Sequence, residues 1–419
     1  MALVQESPRP DRNFWLGVYN GIFVNGSEAF FHSTLVLAPF LAALGAPAVV
    51  VGLVPTLRIG GWFLPQLFVA HRLAPQPLKM PWYRRMSLVR VSAWTVMTGA
   101  VFAFGGRPGL VVVVVLAMIA VNAVAGGVTG VPFADVTAKV VPHMRLGTFW
   151  ALRNAIGGAL ALLAGLVLRH ILGSGVPFPR DFGTVFLLGT VLAGIAYLSF
   201  SLVREPAGRP ALKRPFLTMI GGIPGVLRRD VSLRRFLRVR FLGLLLQLAD
   251  PFYAVYAIDV LGAPARVLGT YVIVATFASI AANFVFRVPA NRARNVTILQ
   301  LGIVLLLLAP VTALLAPGWH PFALVFVFSA AGNSSVGIAA WNLLYALAPE
   351  DERTMYVGLS NTFLSLPSLA PVLAGALLPL LGYGTVFAAA GVSGALALAF
   401  AFRFRELRAL DLRALGTRG

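Results

Sequence analysis

The sequence predicts an all-α integral membrane protein, with twelve transmembrane helices in two pseudo-symmetric six-helix lobes. Three observations carry that prediction. The chain is 58% hydrophobic and only 11% charged, with a mean hydropathy of +0.85, where a soluble domain is about a quarter charged. Twelve apolar runs reach the roughly 20 residues needed to cross about 30 Å of hydrocarbon. The chain also repeats itself. Leu44-Gly45-Ala46-Pro47-Ala48 recurs as Leu261-Gly262-Ala263-Pro264-Ala265, with Gly52 matched by Gly269, at an offset of 217. Pro142, Leu152 and Asn154 recur as Pro349, Leu359 and Asn361, at an offset of 207. Two ordered matches near half the chain length point to an internal duplication.

The runs follow in order. The first, 14–43, places Gly21, Asn25, Glu28 and His32 at spacings of four, three and four, one face of a helix. Such a stripe faces protein or water, because an ionisable group at bilayer depth costs a few kcal/mol. The second, 47–71, holds Arg58 at a depth shared with Glu28. The two read either as a structural ion pair or as substrate or proton ligands. His32 reads either as a satisfied structural histidine or as a proton-exchanging group. The third run is 86–104, and the fourth, 109–134, carries Asn122 and Thr129. The fifth and sixth are 148–172 and 182–203, with Gly157-Gly158 suited to close helix packing.

A basic stretch, 204–235, with Arg228, Arg229, Arg234 and Arg235, divides the halves. Phe216–Val226 within it contains Gly and Pro, so a short interfacial helix is the most it should form. The seventh run, 236–261, has Asp250 beside Pro251, Gln247 one turn before and Tyr253 one turn after. Pro251 should kink the helix and free a carbonyl there. This reads either as a cavity wall or as a buried hydrogen-bonded kink. The eighth and ninth runs are 265–288 and 296–316, and the tenth, 321–347, contains Asn333, Ser334 and Ser335. The last two are 356–381 and 383–402. The expected organisation is an N-terminal lobe at 1–203, the linker at 204–235, a C-terminal lobe at 236–405 and a tail at 406–419.

The net charge of +20 suggests nucleic acid only until its placement is read. With both termini in the cytoplasm, 29 of the 34 Lys and Arg fall on that side, counting span ends, four fall outside, and Arg58 alone lies inside a span. That is the positive-inside rule, and no separate basic domain exists to hold nucleic acid. The N-terminus lacks the pattern of a cleaved signal peptide. Cysteine is absent, and no zinc pattern, Walker loop or nucleophile elbow occurs, so no metal, cofactor or catalytic residue is expected. The excess of Arg over Lys, 31 to 3, suggests a GC-rich bacterial genome and hence the bacterial inner membrane.

Twelve spans, two halves, a long basic central loop and cytoplasmic ends resemble the major facilitator superfamily over about residues 13–405. The resemblance implies a secondary transporter working by alternating access, with the first, fourth, seventh and tenth spans lining a cavity. It departs in its motifs. The second–third loop has Pro65-Gln66-Leu67-Phe68-Val69-Ala70-His71-Arg72, without the family's acidic residue. In the fourth span Asn122, not Arg, precedes Gly126 by four, and the fifth has no Gly-Pro box. The expected substrate or ion ligands are Asn25, Glu28, His32, Arg58, Asn122, Gln247, Asp250, Tyr253 and Asn333. Asp135 and Arg145, with Arg353 in the matching turn, read as charged cytoplasmic turns that form ion pairs or are merely solvated. Asn154 and Asn361 read as packing or gating residues.

The expected function is transport of a small polar or zwitterionic solute by a monomer in the lipid bilayer. If a coupling ion is used, protons titrating Glu28 or Asp250 are expected. Export of lipophilic drugs, or a non-transporting sensor on the same fold, are the alternatives. An intramembrane transferase is disfavoured, since no outer loop exceeds about ten residues.

Overall fold

Every described residue of regular structure is helical. The computed structural model describes residues 10–73, 75–208, 223–291, 294–349 and 353–403. In chain order the helices are α1 (Pro10–Phe30), a π-helical turn (Ser33–Leu37), α2 (Ala38–Ala43), α3 (Ala48–Leu73), α4 (Met80–Ala103), α5 (Pro108–Val140), α6 (Leu146–Ile171) and α7 (Arg180–Ser201). After the linker come α8 (Ile223–Arg229), α9 (Val231–Leu245), a 3₁₀ turn (Leu246–Ala249), α10 (Asp250–Asp259), α11 (Val267–Asn291), α12 (Asn295–Leu315) and α13 (Trp319–Leu347). The chain ends with α14 (Arg353–Ser365), a 3₁₀ turn (Pro367–Leu369) and α15 (Ala370–Phe402). Of the expected interfacial helix, α8 covers the end; residues 216–222 lie outside the described residues.

Among the described residues, ten helical stretches are long and apolar enough to cross a membrane. The broken first run, α1 to α2, is an additional crossing. The stretch from Tyr356 to Phe402 is two crossings. Tyr356 Oη donates to Asp230 Oδ2 at 2.8 Å, at the start of α9. Tyr383 packs its ring on Tyr256, near the end of α10. Further on, Gln300, near the start of α12, donates to the Ala401 carbonyl at 2.9 Å. The chain thus runs out and back, turning at Gly382, whose φ of 74° lies outside the helical range and suits glycine. This completes the twelve crossings, and the chain is a multi-pass membrane protein.

The duplicated Leu-Gly-Ala-Pro-Ala string has one structural meaning. Gly45 and Gly262 both adopt a left-handed φ, 80° and 68°, and each ends a crossing. At the first copy Gly45 N–H donates to Ala42 O and Ala46 N–H to Leu41 O, the Schellman pattern. Proline two residues after the glycine cannot continue the old helix.

The helices gather into two compact units. The first holds the described residues to His32 and from Leu64 to Gly208. The second holds Ser33–Phe63 and the described residues from Ile223. A division in sequence order would leave Ser33–Phe63 with the first lobe; in the structure this segment packs with the second. Gly52 faces the Pro371 carbonyl and Gly375 faces the backbone of Ala48, so closely that a Cβ at either glycine would overlap main-chain atoms. Thr56 Oγ1 also donates to the Ser368 carbonyl at 2.5 Å. Within the first unit, α1 lies against α6 and α7, and α4 lies against α5 and α7. Ser27 Oγ donates to Gly189 O at 2.8 Å, and Thr98 and Thr190 share a hydrogen bond at 3.0 Å.

Candidate functional site

Among the described residues three crossings are discontinuous, and two of the breaks correspond; the third, the 3₁₀ turn Pro367–Leu369 in the eleventh crossing, has no counterpart, since α6 is unbroken. In the first crossing the helix stops at Phe30, His32 stands outside it, and the chain resumes as a π-helical turn. In the seventh, α9 passes into the 3₁₀ turn Leu246–Ala249 before α10 begins at Asp250-Pro251. At the 217 offset that turn answers Ala29–His32. A break in a membrane helix frees backbone groups that must be satisfied by protein, water or ligand. Breaks at matching places in two repeats are the strongest pointer to a transporter's site. Pro251, which lacks an N–H, accounts for the second break. No proline accounts for the first, where His32 leaves the helix.

In the first unit the predicted stripe on α1 divides. Its lower part is helix packing. Asn25 Nδ2 donates to Gly21 O at 2.9 Å and to Arg153 O at 3.3 Å, fastening α1 to α6. Glu28 and His32, nearer the break, are half-buried, and both interact with neighbouring groups. Asn122 is buried on α5 and donates to the Arg90 carbonyl at 3.2 Å, tying α5 to α4.

The charge count that leaves Arg58 as the sole basic residue inside a span is corrected by the structure. Arg153 lies on α6 and is 8% exposed. Its Nη1 donates to the Gly17 carbonyl and to Asn20 Oδ1, and its guanidinium lies 5.0–5.2 Å from the ring centres of Phe133, Phe149 and Trp150. Asn20 in turn donates to Ala196 O at 2.8 Å and Tyr83 Oη at 3.3 Å. Arg90, on α4, lies 4.4 Å above the Tyr197 ring. Arg240 stands on α9 with a sealed Nε that has no partner among the described residues. The available sequence signal was position: each lies within an apolar run, not beyond its end.

The connections at one end of the first unit hold an ion network. Lys79, in the second–third connection, pairs with Asp135. Lys139 Nζ lies 2.7 Å from Asp135 Oδ1 and 2.7 Å from Glu205 Oε1. Glu205, its side chain 2% exposed, accepts from the backbone N–H groups of Lys79 and Met80 at 2.8 and 2.7 Å. A carboxylate from the end of the sixth crossing thus caps α4, where the helix dipole favours negative charge. Arg145 pairs with Asp11 at 2.6 Å and lies over the Phe14 ring. Asn154 is exposed.

In the second unit Arg58 is half-buried on α3 and has interactions of its own. Gln247, in the 3₁₀ turn, donates to Asn333 Oδ1 of α13 at 2.6 Å. Ser279 and Ser334 share a hydrogen bond at 2.6 Å. Asp250 is half-buried, and Tyr253 is 1% exposed with its hydroxyl unpartnered among the described residues. Asn361 is half-buried on α14. The Arg353 side chain lies outside the described ones.

No protein-family model matches the chain, and no curated protein matches it. Solved structures do. The nucleoside transporter NupG, as a point variant, superposes with a TM-score of 0.72 at 16% identity, covering 94% of this chain and 100% of that one. A D-xylose–proton symporter gives 0.69 at 14% identity, covering 94% and 97%. A bacterial homologue of the iron transporter ferroportin, in an inward-facing state, gives 0.68 at 15%, covering 95% and 99%. The chain therefore has the major facilitator fold.

Proposed function

We propose that the protein is a secondary transporter that moves a small polar or zwitterionic solute by alternating access. The observation that carries this reading is the pair of broken crossings at repeat-related positions, each with polar side chains at the break. Glu28 and His32 stand at the first break, and Gln247, Asp250 and Tyr253 at the second. Where transport is coupled, Glu28, His32 and Asp250 are the proton-carrying candidates. The bias of Lys and Arg supports cytoplasmic termini in a bacterial inner membrane, with 204–235 as the covalent link between halves. A second reading, export of lipophilic compounds, is favoured by one observation: Tyr253, Tyr256, Phe322 and Phe387 form a continuous ring cluster near Asp250.

Counterflow in proteoliposomes tests the proposal. The panel takes its first members from the structural neighbours (nucleosides, xylose and iron), then adds polar amines and lipophilic compounds. Saturable counterflow of a polar member is expected. Folded protein that exchanges nothing across the panel refutes transport. Exchange of lipophilic members alone selects the second reading.

A further inference from the structure

Resting on that transport reading, we infer that Asp250 and Tyr253 form a recognition site for a protonated amine, so that the solute is an organic cation or a zwitterion bearing an ammonium group. Asp250 opens α10 directly after the 3₁₀ turn. Among the described residues, no hydrogen bond or ion pair reaches its carboxylate. A carboxylate at membrane depth without a counter-charge is costly, and a ligand of opposite charge removes that cost.

Tyr253 is the independent second observation. It lies one turn along the same helix, within electrostatic reach of Asp250. It is 1% exposed, and its hydroxyl has no partner among the described residues, where a buried tyrosine ordinarily finds one. Asp250 keeps an open side and Tyr253 does not, so a ligand approaches over the carboxylate.

The surroundings narrow the ligand class. The Tyr253 ring packs 5.1 Å from Phe387 and 6.3 Å from Phe322. One turn on, Tyr256 packs 5.1 Å from Tyr383. Aromatic faces attract organic cations and suit the alkyl or aryl body of an amine. A bare divalent ion is a poor match, because it requires six or so oxygen ligands and Asp250 supplies one carboxylate. A neutral polyol would leave that carboxylate without its counter-charge, and an anion would be repelled by it.

Thermal unfolding of the purified full-length chain tests the assignment, with 2-phenylethylamine, its N,N,N-trimethyl derivative, the neutral 2-phenylethanol and the anionic 3-phenylpropionate as probes. Both cations should stabilise the protein, with apparent affinity at least about tenfold above the alcohol, the equivalent of about 1.4 kcal/mol. Asp250→Asn should remove that difference, and Tyr253→Phe should reduce it. If Asp250→Asn does not fold, Asp250→Glu serves, retaining the preference for cations more weakly; the comparison of amine with alcohol needs no variant. Equal stabilisation by amine and alcohol, no stabilisation by either cation, or an unchanged preference in Asp250→Asn would each overturn the inference. Counterflow of a neutral solute undiminished in Asp250→Asn would overturn it while leaving transport standing. Cation binding without any counterflow would support the site and fail the transport reading.

Discussion

Replacing Gly21 with alanine tests whether Arg153 braces the first crossing. A Cβ at position 21 would sit 2.5 Å from Arg153 Nε and 2.6 Å from Cγ and Cζ. Side-chain ends usually yield, but this one is held by Gly17 O, Asn20 Oδ1 and three rings. Alanine must therefore displace the guanidinium. The two hydrogen bonds come from a cation, worth about 1.5–3 kcal/mol each, and the ring contacts add about 0.5–2 kcal/mol. Part is regained in new contacts, so the expected loss is about 3 kcal/mol, roughly two orders of magnitude in the folded-to-unfolded ratio. The assay is unfolding in detergent of Gly21→Ala, Arg153→Ala and the double variant, read as a half-life at fixed temperature where unfolding is irreversible. Once Arg153 is alanine, the second alanine should cost less than about 0.5 kcal/mol, because nothing remains to be displaced. Additive losses would show that Gly21 and Arg153 do not act on one another and would refute the brace.

Other consequences follow from the same reasoning. Gly52→Val should lower folded yield more than Gly60→Val, because position 52 meets the Pro371 carbonyl whereas position 60 faces open space; equal yields in detergent extraction would contradict the close approach. Glu205→Gln should destabilise by about 1–3 kcal/mol, since it weakens a buried cap and a lysine pair. Asp11→Asn should change stability by less than about 1 kcal/mol, because its partner Arg145 and Asp11 are 42% and 72% exposed. Denaturation of the two variants side by side ranks them. The losses from Gln247→Leu and Asn333→Leu should sum to more than the loss from the double replacement, because each single variant strands a polar group that the double variant does not. A double-mutant cycle on thermal unfolding with no coupling would break that link.

Much of the architecture was legible in the chain because lipid simplifies the problem. A crossing must be a helix of about 20 apolar residues, so the runs read as crossings, and the repeated Leu-Gly-Ala-Pro-Ala marked two matching turns. Asp250 beside Pro251 was legible too, since a charge and a proline in an apolar run are each conspicuous. Helix rotation was not. Asn25 and Glu28 share a stripe by spacing, yet Asn25 is spent on α6 while Glu28 stands near the break. Arg153 sits only a few residues inside its run, where a long side chain could equally well reach out to water. Only Gly21, on another helix, makes room for it to turn inward.

The sequence by itself therefore determined the number of crossings, the duplication and the break at Pro251, all of which depend on local hydropathy and backbone chemistry, whereas the break after Phe30 emerged only in the structure. The tertiary structure alone decided which polar groups are consumed by packing and which retain unmet bonding capacity. It also decided that Ser33–Phe63 packs with the second half. These outcomes depend on close approaches between residues hundreds of positions apart, such as Gly52 to Pro371, which no local pattern encodes.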